Sequence, residues 1–239
     1  MKVAPARQKR ILGMAVIHHV ALKPTKLELL TSWLPSRPWY LGGAGEPELA
    51  KAGGFRLDDP QGDVGIEFMV VTDTSGTQPT GYLVPLTYRG APLAGAEHAL
   101  VGTMEHGALG RRWAYDGCHD PVLVAQLLAL MEGRVQAQDQ NTSDTPDREV
   151  TCSYIGDSLA RRDFTVTAID DPEGTELAAP HGATLRLHRV LRPAPDNAPV
   201  PPPEATGHVA GAWHMPDGTR ARGLFVVLHS GGQAAAGPS

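Results

Sequence analysis

Between Trp33 and Tyr40 the chain reads Trp-Leu-Pro-Ser-Arg-Pro-Trp-Tyr, bringing two indoles, a phenol and a guanidinium into one short stretch. Trp, Tyr and Arg dominate binding hot spots, and flat aromatic faces suit the apolar side of a sugar ring. Trp33, Arg37, Trp39 and Tyr40 are therefore candidate binding residues for a carbohydrate or sugar phosphate. The same residues have a structural reading, which is preferred. Trp33 and Trp39 would pin a helix end against a sheet, because large aromatics are well buried on average.

A second group invites a metal. Asp116, Cys118, His119 and Asp120 crowd one turn, and Glu97-His98 and Glu105-His106 repeat a dipeptide. His106, Cys118 and His119 are the candidate ligands. Zinc asks for three or four such ligands at fixed geometry, but the chain has neither HExxH nor paired CxxC spacing. Neighbouring Cys118 and His119 would point to opposite sides of a strand. The turn thus reads as a polar lead-in to a helix capped by Asp120, and no metal or other cofactor is expected.

Other catalytic patterns are missing from the sequence. Gly42-Gly43-Ala44-Gly45 runs into Glu46-Pro47 with no lysine to meet a phosphate, so it reads as a flexible loop. Ser75-Gly76 and Ser230-Gly231 do not form a nucleophile elbow. The carboxylate runs Asp58-Asp59 and Asp170-Asp171-Glu173 lie beside Pro60 and Pro172-Gly174, which is turn chemistry.

These groups need elements to hold them. Thr25 followed by Glu28 is a capping box, and Leu27, Leu30, Trp33 and Leu34 fall on one helical face before Pro35 and Pro38 end the helix. A glycine-rich loop is expected over 41–54. Gly65 to Asp73 and Tyr82 to Tyr88 read as a hairpin, followed by a second pair through Leu100-Val101 and Arg112 to Tyr115. Asp120-Pro121 starts an apolar helix from Val122 to about Val135, which must be buried. Gln136 to Arg148 reads as an exposed polar linker. Strands then return at Val150 to Ile155, Phe164 to Ile169 and Thr184 to Leu191. Pro193 to Pro203 reads as an extended spacer. A final hairpin, Val209 to Met215 and Arg222 to Leu228, turns at Pro216-Asp217-Gly218-Thr219.

The fold class expected is α+β, an antiparallel sheet with flanking helices plus a second, mainly antiparallel β region. At 239 residues the chain can bury a sizeable core. Its formal charge of -5 argues against a nucleic-acid partner. No apolar run approaches the length of a membrane helix. Two cysteines do not make a disulfide framework, so a reducing cytoplasm is expected. Translation starts at Met1 or at Met14. The division expected is an N-terminal extension at 1–14, a cap domain at 15–140, a β-rich region at 149–229 and a disordered tail at 230–239.

Trp33-Leu34…Trp39-Tyr40, the hairpin Ile66 to Asp73 with Tyr82 to Leu86, and the aspartate-led helix from Asp116-Gly117 to Leu130 recur in one order in a known family. Over roughly Ile17 to Val135 the chain resembles the N-terminal cap of bacterial maltokinases. The resemblance implies a cystatin-like α+β cap, which in those enzymes sits on a kinase that uses ATP and magnesium to make maltose 1-phosphate for α-glucan synthesis. Thr184 to Leu191 is similar to the kinase strand carrying the ATP-anchoring lysine, with Arg186 nearest that place. No aspartate–asparagine pair stands at catalytic-loop spacing, and phosphoryl transfer rests on such positioned charge and metal. A stand-alone cap lacking the kinase lobe is expected, acting as an interaction or regulatory module linked to maltose, trehalose or glycogen metabolism. The alternatives are a carbohydrate or sugar-phosphate binding protein and a component of an ATP-dependent sugar kinase.

Overall fold

The computed structural model describes residues 22–43, 45–142, 144–156, 158–159, 167–178 and 182–230. The expected extension at 1–14, the tail beyond Ser230 and the start of the strand expected from Phe164 lie outside them.

The first strand, β1 (Leu22–Lys23), leads into α1 (Lys26–Trp33), and four longer strands follow: β2 (Leu49–Leu57), β3 (Gly65–Asp73), β4 (Thr80–Arg89) and β5 (Leu100–His106). Next come β6 (Gly110–Asp116), α2 (Pro121–Met131), β7 (Gln138–Asp139), β8 (Thr151–Tyr154), β9 (Ala168–Asp171) and β10 (Gly174–Ala178). The chain closes with β11 (Thr184–Leu187), β12 (Val190–Leu191), β13 (Ala205–His214) and β14 (Arg220–His229). The architecture is α+β, mostly antiparallel sheet with two short helices. No helix among the described residues is long and apolar enough to cross a membrane.

Both helices begin as their sequences dictate. The Glu28 amide donates to Thr25 Oγ1 at 3.2 Å, and the Thr25 amide donates to Glu28 Oε2 at 2.6 Å. The Val122 amide donates to Asp120 Oδ1 at 2.9 Å, with Pro121 in the first turn. α2 stops at Met131 rather than near Val135. Gly133 takes φ +69° and the Arg134 amide donates back to the Ala129 carbonyl at 2.9 Å, a glycine-terminated helix end.

The strands run β1-β5-β6-β4-β3-β2-β13-β14-β11-β10-β9, every pairing antiparallel. β12, just after β11, pairs with β4, so the path from β4 through β3, β2, β13, β14 and β11 returns on itself. The C-terminal hairpin therefore joins the first sheet, with Trp213 of β13 opposite Gly53 of β2. Phe55, Phe68, Val70, Leu187, Val209 and Phe225 fill the inside with residues of α2. Met69, Val71, Tyr82 and Val84 point the other way and are covered by Leu30, Trp33 and Leu34. β3 is thus buried on both faces, which is why its sequence is apolar almost throughout.

Four further expectations need correction. The strand expected over Thr184 to Leu191 divides at His188-Arg189, with β11 paired to β14 and β12 to β4. The loop expected through Gly54 is already strand from Leu49. Its ladder with β3 slips between Lys51 and Gly53, and a Cβ on Gly54 (φ +119°) would lie 2.0 Å from the Phe68 carbonyl oxygen. The polar stretch 136–148 is not all exposed, since Ala137 and Gln140 are buried and Gln138–Asp139 pairs with β2. The proline-rich segment is not extended throughout, because Asp196 and Asn197 take φ +52° and +53° in a tight turn beside β14.

Candidate functional site

The helix exit after α1 forms a compact aromatic joint. Trp39 is fully buried and Trp33 is 7% exposed, their rings edge to face at 5.8 Å. Tyr82 of β4 lies against both Trp39 and Tyr40, and its hydroxyl accepts from the Leu41 amide at 3.0 Å. Tyr40 donates to Asp73 Oδ2 at 2.7 Å. Burial and that carboxylate push the Tyr40 phenol up to about 12. Arg37 lies over the Trp33 ring at 4.8 Å. The four residues singled out in the sequence do come together, as a joint rather than an open platform, with both faces of the Trp39 indole enclosed.

Behind Trp39 sits a group the sequence reading did not single out. Arg189, between β11 and β12, is fully buried with its guanidinium 4.9 Å from the Trp39 ring centre. Its Nη2 donates to Asp116 Oδ2 at 2.6 Å and to Cys118 Sγ at 3.1 Å, while Nε donates to Thr175 Oγ1 at 2.6 Å. Burial alone would raise the Asp116 carboxyl, but the Arg189 charge and hydrogen bonds outweigh it and hold it below its usual range. The Cys118 thiol goes the opposite way, since burial pushes it well above an ordinary thiol. A thiol held in that form is a poor nucleophile and a poor metal ligand.

Strand periodicity carried a signal for Arg189. Leu185, Leu187 and Leu191 are buried, and Arg189 shares their parity. The residue nominated from the kinase-like strand, Arg186, has the other parity. It faces outward and forms a fork to Asp171, with Nη1 at 2.5 Å from Oδ2 and Nη2 at 2.6 Å from Oδ1.

The metal candidates do not gather. His106 Nδ1 accepts from the Ala108 and Leu109 amides at 3.3 Å, at the β5–β6 turn. Cys118 is enclosed with Arg189, and His119 faces His98, with Nδ1 and Nε2 3.1 Å apart. Among the described residues no three His, Cys, Asp or Glu side chains are grouped to hold an ion. The carboxylate runs serve turns. Asp59 accepts from the Gln61, Asp63 and Val64 amides, and Asp171 from those of Glu173 and Gly174.

A short helix is stapled by tryptophans to an antiparallel sheet, and the chain runs on to an aspartate-capped second helix, an α+β arrangement. The maltokinase N-terminal cap domain matches residues 33–120, so this part of the chain carries that domain. The match begins at the stapling Trp33 and ends at the capping Asp120. No curated protein matches the chain.

Proposed function

We propose that this chain is a non-catalytic module of the maltokinase N-cap type that works by binding a protein partner, an enzyme of maltose, trehalose or glycogen metabolism. The observation that carries the reading is the match over Trp33 to Asp120, whose ends coincide with the two devices that build the cap. In support, the groups that chemistry would need are spent on one another. Asp116 serves Arg189, Asp171 serves Arg186, and Asp120 accepts a fork from Arg89 at 2.7 Å while capping α2. Within this reading α1, laid across β3 and β4, is the cystatin-like part of the cap. The unpaired state of Cys118 and Cys152 fits a cytoplasmic setting.

Sugar stacking on the Trp33–Tyr40 stretch is not favoured, since Trp39 offers no free ring face. A nucleotide anchor at Arg186 is not favoured either, because the Asp171 carboxylate already takes its guanidinium and would repel phosphate.

The experiment is quantitative capture from the native extract with the tagged chain. An α-glucan enzyme enriched at near-stoichiometric level is the expected result. No such enzyme above the level of a tag-only control overturns the proposal.

A further inference from the structure

β2 and β13 meet at one register pair, Gly53 opposite Trp213, and then part. On one side of that contact, β7 pairs with Phe55 and Arg56 of β2 while β8 pairs with 207–210 of β13. Residues 140–142 and 144–150, between β7 and β8, therefore lie in a fork of the sheet. At the crotch of the fork is a cavity of about 310 Å³, at the small end of the range of roughly 300–1,000 Å³ usual for small-molecule sites.

The walls of this cavity are rich in charged side chains. Lys51, Asn141, Asp147, Glu149, His214 and Arg220 line it, over a floor closed by Phe55 and Phe225, whose rings are parallel within 5°. Lys51 Nζ donates to Asn141 Oδ1 at 3.1 Å across the mouth, joining residues 90 apart in sequence. Glu149 pairs with Arg220 on the opposite wall. Asp147 Oδ1 accepts from the Glu149 amide at 2.8 Å. Burial holds the Asp147 carboxyl above its ordinary range and the Lys51 amine below its own.

The chemistry of these walls selects among ligands. Carboxylates of Asp139, Asp147 and Glu149 share the lining with the bases Lys51 and Arg220, so a phosphate meets the carboxylates and a polycation meets the two bases. A purely apolar ligand would strip water from these charged groups without replacing it. A neutral molecule that offers both donors and acceptors from several directions does neither. From this arrangement we infer that the fork between β2 and β13 is a binding site for a neutral, polyhydroxylated ligand the size of one or two sugar rings. The hydroxyls would donate to Asp147 and Glu149 and accept from Lys51, Arg220 and the Asn141 amide. The inference is independent of the partner reading, because it rests on the cavity and not on the cap match.

The test is a nuclear magnetic resonance titration of the full chain. The neutral probes are trehalose, maltose and myo-inositol as free small molecules, and maltoheptaose as the end of a glucan chain. Glucose 1-phosphate is the charged comparison. The expected result is amide shifts confined to residues 51–55, 139–150 and 212–220 with at least one neutral probe, and weaker ones with the phosphate. A response to maltoheptaose alone assigns the site to a chain end, and a response to the small probes assigns it to free ligand. Lys51 and Asn141 are exposed residues whose polar ends meet at the cavity, so Lys51→Met and Asn141→Ala should leave the fold intact, and each should weaken binding about tenfold. Arg37→Ala should leave it unchanged. The inference is overturned by silence of all four neutral probes up to about 10 mM, by shifts centred elsewhere, or by stronger binding of the phosphate.

Discussion

The guanidinium of Arg189 and the carboxylate of Asp116 lie 2.6 Å apart, with the arginine side chain fully buried and the aspartate side chain 2% exposed. Asp116 closes β6 within the matched segment 33–120, whereas Arg189 comes 73 residues later, between β11 and β12. The pair therefore fastens the cap to the rest of the chain. It is helped by the Trp39 ring on one side and the Thr175 hydroxyl on the other.

Removing one partner of this pair leaves a buried charge uncompensated. Arg189→Met or Asp116→Leu should each cost about 3–5 kcal/mol of unfolding free energy, read by urea denaturation. The double variant should cost clearly less than the sum, because both charges go together. Additive losses would show that the two residues act separately.

Trp39 and Arg37 belong to one stretch of sequence and should behave oppositely. Trp39→Ala should destabilise the fold by about 3–5 kcal/mol through the cavity it opens. Arg37→Ala, which loses a partly exposed contact over Trp33 and exposed hydrogen bonds to Ser36 Oγ, should cost less than about 1 kcal/mol. Equal small losses would mean that Trp39 is a surface residue kept for binding.

Much of the fold was legible where local rules and tertiary demands agree. Thr25 with Glu28 and Asp120 with Pro121 mark helix starts by chemistry that is complete within four residues, and the structure keeps both. The turn at Gly218, with φ +82°, is equally local. β2 was hidden because Gly53-Gly54 breaks the strand pattern, and glycine is needed there by the approach of the Phe68 carbonyl, which lies elsewhere in the chain. The aromatic cluster at 33–40 could be seen, but whether it faced water or a partner depended on Arg189, about 150 residues on. The fork that holds the polar cavity arises from β2, β7, β8 and β13 together, so no single window of sequence records it.

Three histidines tie stability to pH. Burial lowers His188, His119 and His208 from the ordinary imidazole value of about 6.5. The unfolded chain therefore binds protons that the folded chain refuses, so stability is full above about pH 6.5 and declines as the pH falls through the lowered values. The urea midpoint should drop between about pH 7 and about pH 5, and His188→Gln should flatten the drop. Asp171, held at about 2 by Arg186, adds a loss only in stronger acid. A midpoint that rises on acidification to pH near 5 would contradict this assignment.

The central claim is that this chain works by binding a partner and does not transfer a phosphoryl group. The direct measurement is incubation of the purified chain with ATP, magnesium and maltose, followed by detection of maltose 1-phosphate. The account predicts none above a protein-free blank. Sustained product that disappears in Arg186→Ala would contradict it, because that arginine would then be anchoring a nucleotide rather than Asp171.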